Sequence, residues 1–132
     1  MLDPDSVIAE ARDVLDLSQP VAVMFLAIMG HVADFGLARS IVARVLDAVP
    51  PGSYLLLEDG SDTSAARVAA HERYARTGAV PYTLRSAAQI GEFFTGLDLV
   101  PPGLVPPNQW RPPGAQSHPD PVDAYAAADR KP

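Results

Sequence analysis

Val21-Ala22-Val23-Met24-Phe25-Leu26-Ala27-Ile28-Met29, followed by Gly30-His31, decides the fold of this chain. A continuous apolar run of this length suits a strand buried on both faces, inside a parallel sheet covered by helices on each side. The polar Gly30-His31 ending marks the carboxyl end of that strand, where open α/β sheets bind ligands. An inner strand needs neighbours on both edges, and too little chain precedes this one to supply them all. The expectation is part of a larger ligand-binding fold.

Composition narrows the function. The chain has 132 residues, enough for one domain with a core and too few for two. A formal net charge of −6 with scattered Lys and Arg argues against nucleic-acid binding, which needs clustered cations. There is no cysteine, so disulfides, zinc ribbons and thiol catalysis are excluded. Asp3 and Asp5 stand where a secretory signal would carry basic residues, and the run ending at Met29 is too short to span a bilayer. A soluble cytoplasmic protein with no membrane partner is expected. Fourteen prolines, mostly beyond Val100, predict a loop-rich C-terminal third.

Working outward from the run, Asp3-Pro4-Asp5 reads as a helix start, with Asp3 as cap and Pro4 in the first turn. Val7, Ile8, Ala11, Val14 and Leu15 then recur at helical spacing. Asp34 caps a second helix whose stripe is Leu37, Ile41, Val42, Val45, Leu46 and Val49, stopped by Pro50-Pro51-Gly52. Ser53 to Leu57 is a second buried strand ending in Glu58-Asp59-Gly60, which makes a strand–helix–strand unit. Ser61 to Thr63 caps a third helix reaching about Arg76, with Gly78 as a left-handed terminator. Ser86 and Gln89 fit a capping box for a short helix closed by Gly96. Leu97–Val100 reads as a strand, and Ala124–Ala128 as a weak last one. Residues 1–132 form a single partial domain: helix and strand units over 1–100, a Pro-rich loop over 101–122, and a last strand and tail over 123–132.

Three stretches carry a specific resemblance. They are Pro50-Pro51-Gly52-Ser53-Tyr54-Leu55; Leu84-Arg85-Ser86 through Phe93-Phe94-Thr95-Gly96-Leu97-Asp98-Leu99-Val100-Pro101-Pro102-Gly103; and Gln109-Trp110-Arg111-Pro112. The Arg130-Lys131-Pro132 ending adds to them. The chain resembles the C-terminal half of a class I S-adenosylmethionine-dependent methyltransferase, in a bacterial family once known only as a domain of unknown function. The resemblance implies a Rossmann-like α/β sheet lacking its first three strands. Val21–Met29 would be the fourth strand, Ser53–Leu57 the fifth, Leu97–Val100 the sixth and Ala124–Ala128 an antiparallel seventh. The implied strand order is fourth, fifth, seventh, sixth. With the first strands go the Gly-rich cofactor turn and the acidic ribose contact; no G-x-G-x-x-G occurs here.

The implied reaction is methyl transfer from S-adenosylmethionine to a small-molecule acceptor. The donor is already activated, so alignment for in-line displacement does most of the work, with a base only where the acceptor must lose a proton. The segment after the fourth strand passes close to the cofactor in such folds. Met29, Gly30 and His31 are therefore the cofactor-binding candidates: Gly30 for close backbone approach, His31 for a hydrogen bond or as a base. The family often carries a histidine at the position of Gly30, one residue earlier. The plain alternative is a loop histidine at a strand end.

Glu58, Asp59 and Trp110 are the substrate-binding candidates, and no catalytic residue is assigned. Adjacent carboxylates on a strand point to opposite sides, so Glu58 and Asp59 do not make a ready acid–base pair. A solvated strand end is the plainer reading of the two. Trp110 beside Arg111 either covers a pocket by stacking or closes the core edge. His71, with Glu72 and Arg73, reads as a solvated helix face, and His118 lies in the Pro-rich loop. No histidine pair has metal-ligand spacing, so no metal is expected.

A fourth strand at the sheet edge would be flat and apolar, and such edges pair with another chain or aggregate. A homodimer or an N-terminal partner half is expected through the Val21–Met29 edge. On this view the chain alone holds the cofactor weakly or not at all. The alternative to an enzyme is a non-enzymatic remnant or split half that acts as a protein-binding module.

Overall fold

The computed structural model describes residues 3–114 and 120–132. His118 lies outside them. Helix α1 spans Pro4–Val14, and its N-cap Asp3 accepts the Asp5 N–H at 3.1 Å. Ile8 is the residue it buries. Strand β1 is Ala22–Leu26, helix α2 Phe35–Asp47 and strand β2 Tyr54–Gly60. β1 and β2 run parallel, with Val23 opposite Leu55 and Phe25 opposite Leu57.

The crossover helix α2 begins as its sequence predicts: Asp34 accepts the Leu37 N–H at 2.7 Å. Ala38, Ile41, Val42 and Leu46 form its buried stripe. At its end Lys131 Nζ donates to the Leu46 oxygen of the last turn and to the Val49 oxygen just beyond the helix, each at 2.8 Å.

Helix α3 spans Ala65–Ala75, helix α4 Ala87–Glu92 and strand β3 Ala124–Arg130. β3 pairs antiparallel with β2, so the sheet order is β1-β2-β3. One face of the sheet carries Leu55, Leu57 and Ala127 into a core shared with α2, Ile90, Phe93 and Phe94. The capping box of α4 is complete, with Ser86 and Gln89 exchanging bonds to each other's backbone N–H.

Four expectations need correction. First, the Val21–Met29 strand stops at Leu26. Ala27 takes φ +51°, a left-handed conformation that ends the extended path, and Met29–His31 form a 3-10 turn. Second, β1 is not buried on both faces: Met24 is 57% and Leu26 52% exposed, while Val23 and Phe25 pack on the core.

Third, Leu97–Val100 is no strand. Asp98 makes one antiparallel bridge to Arg130, with paired bonds of 2.8 and 2.9 Å. Pro101 and Pro102, which lack N–H groups, begin three residues later, so a ladder cannot continue. A second bridge, Val105 to Ala126, keeps this segment along the outer edge of β3. Fourth, α3 starts from Ser64, whose hydroxyl accepts the Arg67 N–H at 3.0 Å, because Ser61 and Thr63 bond to each other instead.

Candidate active site at the carboxyl ends of the parallel strands

The alternation of β2 sends Glu58 and Asp59 to opposite sides. Asp59 enters the core, where Arg85 Nη1 stands 3.1 Å from its Oδ2, and both side chains are enclosed. The same guanidinium donates to the Met29 carbonyl at 2.8 Å and to the Val32 carbonyl. It lies against the paired rings of Phe35 and Phe93, 5.6 and 5.8 Å from their centroids. Arg85 thus ties the loop after β1 to the end of β2.

Tyr82 completes the lattice. Its hydroxyl donates to Asp59 Oδ1 and accepts the Gly60 N–H at 3.1 Å. Burial, and then the bond to Asp59, push the phenol well above its usual range, so it stays a donor. Its ring lies on Gly30, where an added Cβ would stand 2.3 Å from ring carbon Cζ. The Thr83 N–H donates to the Gly30 carbonyl at 2.7 Å. Residues 81–85 therefore act as a strap over the loop 29–32.

His31 is the exposed member of that loop. Its Nδ1 lies 2.8 Å from the Pro81 carbonyl. A carbonyl only accepts, so Nδ1 carries the proton and Nε2 of the neutral ring keeps its lone pair. The ring stands edge-on to Tyr82, with centroids 5.0 Å apart.

Two clefts meet at His31 and Val80, which line both. The larger, about 990 Å³, lies between the starts of α1 and α2 and is lined by Ile28, Val32, Leu37 and the carboxylates of Asp3, Asp5 and Asp34. Asp5 is paired with Arg44 at 2.7 Å, and Asp34 is engaged as a cap. The smaller, about 520 Å³, lies between the end of β2 and α3. Arg67, Ala70, His71 and Tyr74 line it at i, i+3, i+4 and i+7, one face of α3. No residue of α3 is buried, so this face serves the cleft and not the core. Glu58 lines the same cleft, and burial, followed by the Asp59 charge, raises its carboxyl above the ordinary range.

The candidates from sequence are thereby separated. Met29 and Gly30 are buried, the first in the core and the second under Tyr82; His31 reaches both clefts. Asp59 is saturated by Arg85 and Tyr82, which removes it from contact with an acceptor, while Glu58 faces a cleft. Trp110 packs against the core under the Arg111 guanidinium, 5.8 Å from its ring, and lines neither cleft. His71 is half-buried and bonded to the Tyr82 carbonyl, not on a solvated face. Sequence reading missed Tyr82, Arg85, Arg67 and Tyr74; the helical spacing within α3 was the available signal for the last two. Among the described residues no group of three His, Asp or Glu is placed to hold a metal, and no helix is long and apolar enough to cross a membrane.

Set beside known proteins, the chain finds close likeness. A DUF574 family protein from Streptomyces avermitilis MA-4680 is 39% identical, with a TM-score of 0.87 over 98% of this chain and 52% of that one. A protein from Thermobifida fusca YX assigned as a methyltransferase is 26% identical, with a TM-score of 0.83 over 98% of this chain and 50% of that one. The chain therefore spans about half the length of these structures. None of the curated proteins matches it. The family model described as S-adenosyl methyltransferase matches residues 1–132, and the chain, with its α/β sheet corresponding to the C-terminal half of that fold, belongs to this family.

Proposed function

We propose that this chain forms one wall of the site of an S-adenosylmethionine-dependent methyl transfer to a small-molecule acceptor. The observation that carries the reading is the larger cleft at the carboxyl end of β1, opening beside His31 on a loop that Arg85 holds from within. Ligands of open α/β sheets bind at such strand ends.

The residues fit one side of the cofactor. Ile28, Val32 and Leu37 offer apolar contact to a nucleoside, and His31 offers an imidazole nitrogen at the rim. Asp5 is offset by Arg44 in the same lining, and Asp3 and Asp34 leave the rim net negative, suited to a cationic ligand. Bound there, S-adenosylmethionine supplies an activated methyl group. No Gly-rich turn for its amino-acid end occurs in the sequence, so the chain alone is expected to hold it weakly, with Kd on the order of 1 mM. An NMR titration with S-adenosylhomocysteine tests this. Shifts confined to Ile28, His31, Val32 and Leu37 are expected; none at those positions up to the solubility limit rejects the reading.

A second reading, a protein-binding module, is favoured by the edge of β1. Among the described residues β1 pairs with β2 alone, and Met24 and Leu26 are exposed beside that edge. The occupant we infer is the other half of a methyltransferase-like fold, because the similar structures are about twice this length. Sedimentation velocity of the chain without that half tests whether the edge is open: self-association that grows with concentration is expected, and a stable monomer at high concentration counts against an edge that needs an occupant.

A further inference from the structure

We propose that the smaller cleft is the acceptor subsite, shaped for a small planar phenol, with His31 Nε2 taking the phenol's proton. The proposal rests on assigning the cofactor to the larger cleft.

Three observations converge. His31 and Val80 form the partition between the clefts, so a group passing from one to the other passes His31. The Pro81 carbonyl fixes the His31 tautomer, which leaves a basic nitrogen at that partition. The face of α3 that lines the smaller cleft is not used in the core.

The lining selects the ligand. Tyr74, Tyr82 and His71 offer ring surfaces, and Ala27, Ala70 and Ala124 leave a slot between them. A volume of about 520 Å³ suits a single small ligand. A base at the partition has use only for an acceptor that must lose a proton, such as a hydroxyl. The Arg67 guanidinium lies over the end of β2, 3.5 Å from where a Cβ on Gly60 would stand. It faces the Glu58 carboxyl of the same cleft, which burial favours in its neutral form, and so favours the charge that grows on a phenol oxygen.

In the transfer the phenol O–H bond breaks and its proton goes to His31 Nε2. An oxygen electron pair forms the new O–CH3 bond, and the electron pair of the breaking C–S bond stays on sulfur. The sulfonium becomes a neutral thioether, and the imidazolium returns its proton to water.

The test uses the isotope-labelled 132-residue chain titrated with para-nitrophenol, followed by NMR. Amide shifts at Ala70, His71 and Tyr74 are expected, with movement of the His31 Nε2 resonance. Nitrobenzene, which lacks the hydroxyl, should bind more weakly, and His31→Phe should erase that difference. Ala70→Leu adds bulk at an exposed helical position facing the slot and should weaken the probe about tenfold with core resonances unmoved. Equal binding of the two probes to the unaltered chain, or shifts elsewhere, overturns the proposal. S-adenosylhomocysteine, titrated separately, reports on the larger cleft through Val32 and Leu37. Silence there with a phenol response at α3 overturns the cofactor reading and the transfer step, while phenol recognition stands. The reverse pattern overturns the acceptor subsite alone.

Discussion

Arg85 Nη1 stands 3.1 Å from Asp59 Oδ2, with the arginine 2% and the aspartate 0% exposed. Every buried side-chain nitrogen and oxygen among the described residues has a partner, so the desolvation cost of this pair is met by a complete set of bonds. Removing one member leaves a buried charge without its counter-ion. Arg85→Met is expected to cost about 3–5 kcal/mol in urea denaturation, because the Val32 carbonyl loses its guanidinium donor and the Met29 carbonyl keeps only the Val32 N–H. Asp59→Asn should fall near the lower end. The double variant should cost less than the sum by about 1 kcal/mol or more; simple additivity would mean that the two side chains do not act together.

Gly30 and Tyr82 are matched by shape. A methyl group at Gly30 would enter the Tyr82 ring, and that ring is pinned by its hydroxyl on Asp59 and Gly60. Gly30→Ala is expected to destabilise by about 1–3 kcal/mol through overpacking. In a Tyr82→Ala background the same change should be close to neutral. If the penalty persists there, the clash is not with Tyr82.

How much of this was legible follows from what each feature depends on. The caps at Asp3, Asp34 and Ser86 involve neighbours within three residues, so local chemistry names them. The parallel pairing of β1 with β2 follows from two apolar runs around one amphipathic helix. The Arg85–Asp59 bond joins residues 26 positions apart, and no local pattern distinguishes a core arginine from a surface one. The apolar run misled at its end because left-handed Ala27 is a backbone choice that alanine does not advertise. For the site, strand alternation separates Glu58 from Asp59, yet nothing in one sequence says which of the two faces the core.

Lys131 offers a test of how the tail contributes. Its ammonium, half-buried, donates to the Leu46 and Val49 carbonyls at the end of α2, where a cation also meets the negative end of the helix dipole. Lys131→Met keeps the aliphatic stem and removes the donors. A loss of about 1–2 kcal/mol is expected by thermal or urea unfolding. A change within about 0.5 kcal/mol would assign the tail to surface decoration.

Glu58 gives stability a pH dependence whose sign is fixed by its environment. Burial, and then the Asp59 charge, raise its carboxyl above the ordinary value, while Arg67 and the Ala27 amide oppose the rise. The folded protein therefore binds this proton more tightly than the unfolded chain does. The associated stability is fully present at low pH and is lost as pH climbs from the ordinary carboxylate range through the raised folded value. Above that value the ionised carboxylate is a constant cost. Glu58→Gln carries no such charge, so it should gain stability over the native chain as pH rises from about 4 towards neutrality. Melting curves of the two proteins across that range read the difference directly, since their other carboxylates are shared. A Glu58→Gln gain equal at every pH would show that the carboxyl titrates alike in both states, and a loss that grows with pH would show that it is stabilised as the anion.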